Sequence, residues 1–193
     1  MLDNLNKYQV LLASKSPRRR ELLSQLRIPF SYVNIGGIKE EYPADMKATD
    51  VPLYLSRLKA EAYRSKIVSN ELIITADTVV INEGRILGKP KDREEAGAML
   101  RELAGHTHEV ATGVTITTAD RIESFVSCTK VTFASLEEDE IEYYLDNFHP
   151  YDKAGSYGIQ EWIGCVAVES MEGSFYNVMG LPVHKLYRIL KSF

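Results

Sequence analysis

At 193 residues, 45% of them hydrophobic and 26% charged, the chain is long enough to bury a full core and has the composition of an ordinary soluble globular protein. Its formal net charge of −4 excludes a global basic field for a nucleic-acid backbone, so any affinity for polyanions must be local. No apolar run approaches the roughly 20 residues needed to span a bilayer, and the first residues lack the charged-then-apolar build of a signal peptide, so a cytoplasmic location without membrane contact is expected.

The run YQVLLA at 8–13 reads as a short buried strand. A helix over 17–26 follows, with Ser16 as its N-cap, Pro17 in its first position and Leu22, Leu23 and Leu26 on one face. The run FSYVNI at 30–35 suggests a second strand, then a Gly36–Gly37 turn and an acidic loop around Glu40 and Glu41. The next helix is expected over 50–68, entered at Asp50 with Pro52 in its first turn. ELIITADTVVIN at 71–82 is the most apolar strand-like segment; a Glu83–Gly84 turn returns it into a short strand ending at Leu87.

Residues 92–104 form an amphipathic helix that places Ala96, Met99, Leu100 and Leu103 inward, with Gly105 as its stop signal. Two β-rich stretches, 107–118 and 121–134, precede a helix over 137–147 whose acidic start, Glu137–Glu140, complements the helix dipole. After the loop DKAGSYGIQ at 152–160, strands are expected near 164–169 and 175–178, and a last helix over 182–192. Helices and strands alternate early while the middle looks antiparallel. The pattern predicts an α/β protein with a mixed sheet, organised as a single unit over 1–193.

Four places can carry chemistry. The start of the first helix holds Arg18, Arg19 and Arg20, where the partial positive charge of the helix end disfavours cations by roughly 0.3–1 kcal/mol each. A bound phosphate reverses that sign, because free N–H groups and forked guanidinium donors both suit an anion; otherwise the run is a solvated basic patch. Asp77 lies in TADTVV among apolar and β-branched neighbours, where an unpartnered carboxylate is costly. It is either a general base or metal ligand held on a strand, or a paired structural aspartate. Lys59 and Lys89 offer point charges for phosphate, although each taken singly reads as a surface lysine. In DKAGSYGIQ, glycines admit a close ligand, Tyr157 can stack on a base or sit in the core, and Gln160 offers both donor and acceptor to a base edge.

His106 and His108 would share one strand face but have no third ligand at a recognisable spacing, so no transition-metal site is expected there. Cys128 and Cys165, without a CxxC spacing, read as core residues.

SxSPRRxELL at 14–23, GIxE at 37–40, LxxxKAxA at 55–62, ADT at 76–78, LGKP at 87–90, GxTHxV at 105–110, DKAGxYGIQ at 152–160 and MGLP at 179–182 occur in one order. Together they closely resemble the Maf family of nucleoside triphosphate pyrophosphatases, over about residues 10–190. SPRR and YGIQ resemble its dTTP/UTP branch; the 7-methyl-GTP branch has tryptophan where Arg18 stands. Lys39 takes a place where the family often has an acid, and the segment before Lys59 is about three residues shorter than in some relatives.

The resemblance implies a mixed, twisted sheet flanked by helices, in two lobes around a nucleotide cleft as in ITPase-like proteins. It implies Asp77 as proton acceptor, Ser14, Arg19, Lys59 and Lys89 on the triphosphate, and Arg18, Thr78 and Gln160 in base selection. Arg20 matches a variable position. Glu40, with Asp77, is implied near a divalent cation, Mg²⁺ before Mn²⁺. The implied reaction converts dTTP and UTP to the monophosphate and pyrophosphate, by a homodimer with no nucleic-acid partner. Its rivals are the same chemistry on modified nucleotides, and a non-catalytic nucleotide-binding regulator of septum formation.

Overall fold

The computed structural model describes residues 2–34, 36–64, 66–68 and 70–193. The first apolar run forms β1 (Gln9–Ala13), buried from Val10 onward. It turns into α1 (Pro17–Gln25), which buries Leu22 and Leu23, and then into the short β2 (Ser31–Val33). Of the strand expected over 30–35, Ile35 lies outside the described residues.

Next comes α2 (Val51–Arg64), which ends four residues before the expected limit at 68; Ser65, within the expected span, lies outside the described residues. The chain leaves the helix through tight bonds from Lys66 N–H to Tyr63 O and Ile67 N–H to Arg64 O, at 2.9 and 3.3 Å. Tyr63, in the last turn of α2, and Ile67, beyond it, pack on Leu11, Ala13 and Ile73, so Ile67 serves the core from outside the helix.

The segment 71–82 is one strand, β3 (Glu71–Asn82), and it returns as β4 (Arg85–Leu87). Glu83 and Gly84 both have positive φ, 48° and 80°, the mirror-image turn that matches the twist of paired strands. Asp92 caps α3 (Arg93–Leu103), its carboxylate accepting from Glu95 N–H at 2.9 Å. β5 (Thr107–Thr117) and β6 (Ile122–Phe133) follow, then α4 (Glu138–Phe148), whose Glu140 accepts from Glu137 N–H at 2.8 Å.

Beyond two single-turn 3-10 segments, Pro150–Asp152 and Ala154–Ser156, come α5 (Trp162–Val166), β7 (Val168–Glu172), α6 (Phe175–Met179) and α7 (Val183–Leu190). Both strands expected here are corrected. Residues 164–167 belong to α5 and its C-cap, with the strand starting at Val168, and FYNV at 175–178 is helical. Asn177 explains the second case: it is fully buried, and its amide donates to Val110 O and Thr129 Oγ1, both at 3.0 Å. A short apolar run has no periodicity that distinguishes strand from helix.

The strands form one seven-stranded mixed sheet in the order β2-β1-β3-β5-β6-β7, with β4 paired to β3. β1 runs parallel to β2 and to β3, as helical crossovers require, whereas β3–β4 and β6–β7 are antiparallel. The chain divides into two compact units. Unit 1 comprises Met1–Asp77, Thr112–Ser127 and Gly180–Phe193; unit 2 comprises Thr78–Ala111 and Cys128–Met179. Leu12, Leu22, Leu23 and Leu72–Ile74 are fully buried in the first, as are Leu87, Leu100, Leu103, Phe133 and Tyr144 in the second. Among the described residues no helix is long and apolar enough to cross a membrane.

Cys128 and Cys165 are exposed, not core residues. Cys128 alternates along β6 with the buried Thr129, so strand period places it on the opposite face.

Candidate active site

In unit 1 the chemistry gathers at the start of α1. Ser16 occupies the N-cap in extended backbone, but its side chain makes no capping bond. Ser14, buried just before the helix, orders the turn into it: its Oγ accepts from Ser16 N–H at 3.2 Å and from Arg19 Nη1 at 3.4 Å. Arg19 is held by backbone carbonyls. Its Nε donates to Gly180 O at 2.8 Å and its Nη1 to Ala76 O at 2.9 Å. One guanidinium thus ties the β1–α1 turn to β3 and to the residues before α7, and gives the separate motifs SPRR, ADT and MGLP a common physical origin.

Burial pulls the Arg19 guanidinium below its usual pKa and neighbouring Arg18 pushes the same way; the Asp77 and Glu40 carboxylates oppose them. A guanidinium stays charged in such a setting. Arg18 is half-buried, and Arg20 lies over the Tyr32 ring, 4.9 Å from its centre. The arginine run is therefore not a uniformly solvated patch.

Lys59 projects from the middle of α2 with only 14% of its side chain exposed. Its Nζ stands 2.6 Å from Asp77 Oδ1 and 3.0 Å from Glu40 Oε2. Asp77 is reached where β3 changes from the buried run 72–76 to half-buried positions; its own side chain is 13% exposed, and that of Glu40 54%. Position is fixed one turn earlier. Ser56 O accepts from Thr75 Oγ1 at 2.7 Å, and Ser56 Oγ bonds Thr115 Oγ1 at 2.9 Å, so α2 is pinned to β3 and β5 beneath Lys59.

Gly113 lets α2 come this close. A Cβ there would lie 2.3 Å from the backbone of Pro52 and Leu53. None of Ser56, Thr75, Thr115 or Gly113 stood out in the sequence, because a hydroxyl or a glycine inside an apolar stretch carries no local signal.

The two carboxylates around Lys59 are the residues able to hold a cation; no cluster of three or more His, Cys, Asp or Glu side chains suited to a metal occurs among the described residues. Two hard oxygen donors fit Mg²⁺, which keeps several waters and takes further ligands from phosphate.

Thr78, Lys89 and Gln160 belong to unit 2. Thr78 is half-buried on β3, next in the chain to Asp77. Lys89 is exposed just after β4, and the carbonyl before it, Gly88 O, accepts from Gly155 N–H at 3.1 Å. That bond ties the segment carrying Lys89 to the loop carrying Gln160. Gln160 is exposed in a turn.

Tyr157 resolves to the core reading. It is 5% exposed, bonds His108 Nε2 through its hydroxyl at 2.8 Å, and meets His108 and Phe133 edge to face at 5.4 and 4.9 Å between ring centres. Burial lowers the His108 imidazole to about 4 and raises the Tyr157 phenol. His106, by contrast, is exposed and bonds Ala104 O, so the two histidines do not form a shared site.

These features define a mixed α/β protein with a lysine-bridged carboxylate pair next to an arginine-rich helix start, a donor set suited to phosphate and its counter-ion. The family model described as Maf-like protein matches residues 9–193. A dTTP/UTP pyrophosphatase of Porphyromonas gingivalis (strain ATCC 33277) is 60% identical over 195 residues, covering 100% of this chain and 98% of that protein. The dTTP/UTP pyrophosphatase of Parabacteroides distasonis is 55% identical with both chains fully covered, and that of Bacteroides thetaiotaomicron 52% with 99% of each covered. Among solved structures, a HAM1 protein from Coxiella burnetii shares the fold at a TM-score of 0.51 and 12% identity, covering 96% of this chain and all of that one. The chain belongs to the Maf family.

Proposed function

We propose that this protein hydrolyses dTTP and UTP to the nucleoside monophosphate and pyrophosphate, with residues 1–193 acting as one catalytic domain. The observation that carries the reading is Lys59 Nζ shared between Asp77 and Glu40, in a chain 52–60% identical over its length to proteins named for this activity. An incoming triphosphate competes with the carboxylates for the Lys59 ammonium. Once Lys59 turns to phosphate, Asp77 is free to accept the proton of the attacking water.

Ser14, Arg19 and Lys89 complete the phosphate-binding set and neutralise charge on the departing pyrophosphate, where preorganised donors contribute most. Arg18, Thr78 and Gln160 select the base. Asp77 and Glu40 are the residues that would hold a divalent cation, Mg²⁺ or Mn²⁺. When bound, such an ion supplies Lewis acidity toward phosphate oxygens and a more acidic water. We propose a homodimer, on the strength of the family resemblance, acting in the cytoplasm, the location expected from the sequence.

The test is a panel of nucleoside triphosphates with pyrophosphate and orthophosphate measured separately, with and without EDTA. Pyrophosphate release is expected to be faster from dTTP and UTP than from ATP or GTP, abolished by the chelator and restored by Mg²⁺. Absence of pyrophosphate from every nucleotide would overturn the enzyme reading.

A further inference from the structure

Within DKAGSYGIQ the side chains are strongly partitioned. Lys153 and residues 155–159 are buried, whereas Gln160 is exposed. Gln160 occupies the third position of a turn closed by Glu161 N–H to Gly158 O at 2.9 Å. The same two residues are linked a second time through a side chain of α4. Gly158 N–H donates to the Tyr144 hydroxyl at 3.0 Å, and that hydroxyl donates to Glu161 Oε2.

Behind the turn, Lys153 Nζ lies 3.1 Å from Glu161 Oε1 and 2.8 Å from Asp152 Oδ1, its own side chain only 8% exposed. Gly158 leaves the space that the Glu161 carboxylate fills. A Cβ there would stand 2.8–3.1 Å from the Glu161 carboxylate, which folds directly beneath the turn. Tyr144 is itself fully buried and supplies the fixed point.

Of the two pairs, Lys153–Glu161 is largely buried while Asp152 is exposed; a pair so buried adds little net stability, because desolvation offsets its attraction, and its best-attested value is in fixing one arrangement. A satisfied buried network of this kind rigidifies what it touches. Here it touches a four-residue turn whose outward polar side chain is Gln160. A glutamine amide can pair with uracil, accepting from N3–H and donating to O4. Turned over, it pairs equally with cytosine, whose edge has the opposite donor and acceptor order. The amide can turn over about its own side-chain bonds, so discrimination depends on where the glutamine is anchored: a backbone held still limits which orientation can meet a base edge in register.

We infer that Tyr144, Glu161 and Lys153 are positioning residues that fix the Gly158–Glu161 turn and thereby let Gln160 distinguish uracil and thymine from cytosine. This rests on the reading of Gln160 as a base-selecting residue. The experiment is a double-mutant cycle on the full chain, with kcat and KM measured for UTP and CTP, and folding followed by circular dichroism and thermal unfolding.

Gln160→Ala is expected to lower the UTP-to-CTP ratio of kcat/KM by about tenfold, the scale of one specific hydrogen bond to a base edge. Tyr144→Phe is expected to reproduce most of that loss, chiefly through KM, and to add less than about twofold in the Gln160→Ala background, as expected of residues acting through one another. Glu161→Gln carries the same cycle should Tyr144→Phe fail to fold. If Gln160→Ala moves the ratio while the positioning variant leaves it unchanged, or lowers kcat/KM equally for both nucleotides, the positioning role is overturned. If Gln160→Ala itself leaves the ratio unchanged, the base-selection reading fails and this inference falls with it.

Discussion

Lys59 Nζ, 2.6 Å from Asp77 Oδ1, joins the middle of α2 to the point on β3 where the buried strand opens. The pairing answers the cost of a carboxylate among apolar neighbours, and it leaves that carboxylate with a partner that a polyphosphate can take over. Asp77→Asn removes the charge and keeps the shape, while Lys59 retains Glu40 at 3.0 Å. The variant is expected to keep its circular dichroism spectrum and to lose about 10²–10⁴ in the rate of pyrophosphate release from dTTP, the usual worth of a positioned general base. A rate near that of the parent protein would remove Asp77 from the role.

Arg19 makes bonds that lysine cannot copy. Its Nε and Nη1 reach two backbone carbonyls, Gly180 O and Ala76 O, in directions set by a planar fork. Arg19→Lys leaves at least one of those acceptors short of a donor, at about 1–3 kcal/mol. A fall of that size in urea-derived stability is expected together with reduced turnover. Lost turnover at unchanged stability would assign Arg19 to phosphate alone.

The extended features of this fold were legible in the sequence, and the short or buried polar ones were not. β3 runs over the residues its apolar pattern marks, because twelve residues closed by a Glu-Gly turn leave little choice. The motif residues Ser14, Arg19, Lys59 and Asp77 were identifiable, but not that Ser14 Oγ accepts from Ser16 N–H, nor that Arg19 donates to Ala76 O and Gly180 O. Such contacts depend on which strands become neighbours. FYNV looked like a strand because its buried Asn177, whose partners lie at Val110 and Thr129, gives no period. Lys153 carries no local signal for the same reason: a lysine reads as surface until the largely covered carboxylate it pairs with, eight residues on, is in place.

Gly113 offers a test of how tightly α2 must sit. Any Cβ at this position meets Pro52 and Leu53 backbone at 2.3 Å, and backbone cannot rotate out of the way as a side chain can. Gly113→Ala forces the start of α2 off β5, carrying Ser56 and Lys59 with it. Overpacking of this kind costs about 1–3 kcal/mol or more. Chemical denaturation is expected to show that loss, and kcat/KM for dTTP to fall although residue 113 holds no chemistry. Unchanged stability would mean that α2 has slack the structure does not suggest.

His108 sets an acid limit on stability. Buried against Phe133 and Tyr157, its imidazole titrates at about 4 when folded, against an ordinary value near 6.5. Between those values the unfolded chain binds a proton that the folded chain refuses, so stability rises with pH across the window and is lost as pH falls from about 6.5 toward 4. The shift corresponds to about 3 kcal/mol, fully present above the unfolded value. His108→Phe keeps an aromatic ring in the cluster and removes the titration, while leaving the Tyr157 hydroxyl without its 2.8 Å partner. The variant is expected to lose about 1–3 kcal/mol near neutrality for that unpaired hydroxyl, yet to show a flatter fall in urea midpoint between pH 6.5 and 4 than the parent. Parallel curves for the two proteins would show that another group, and not His108, takes up the proton on unfolding.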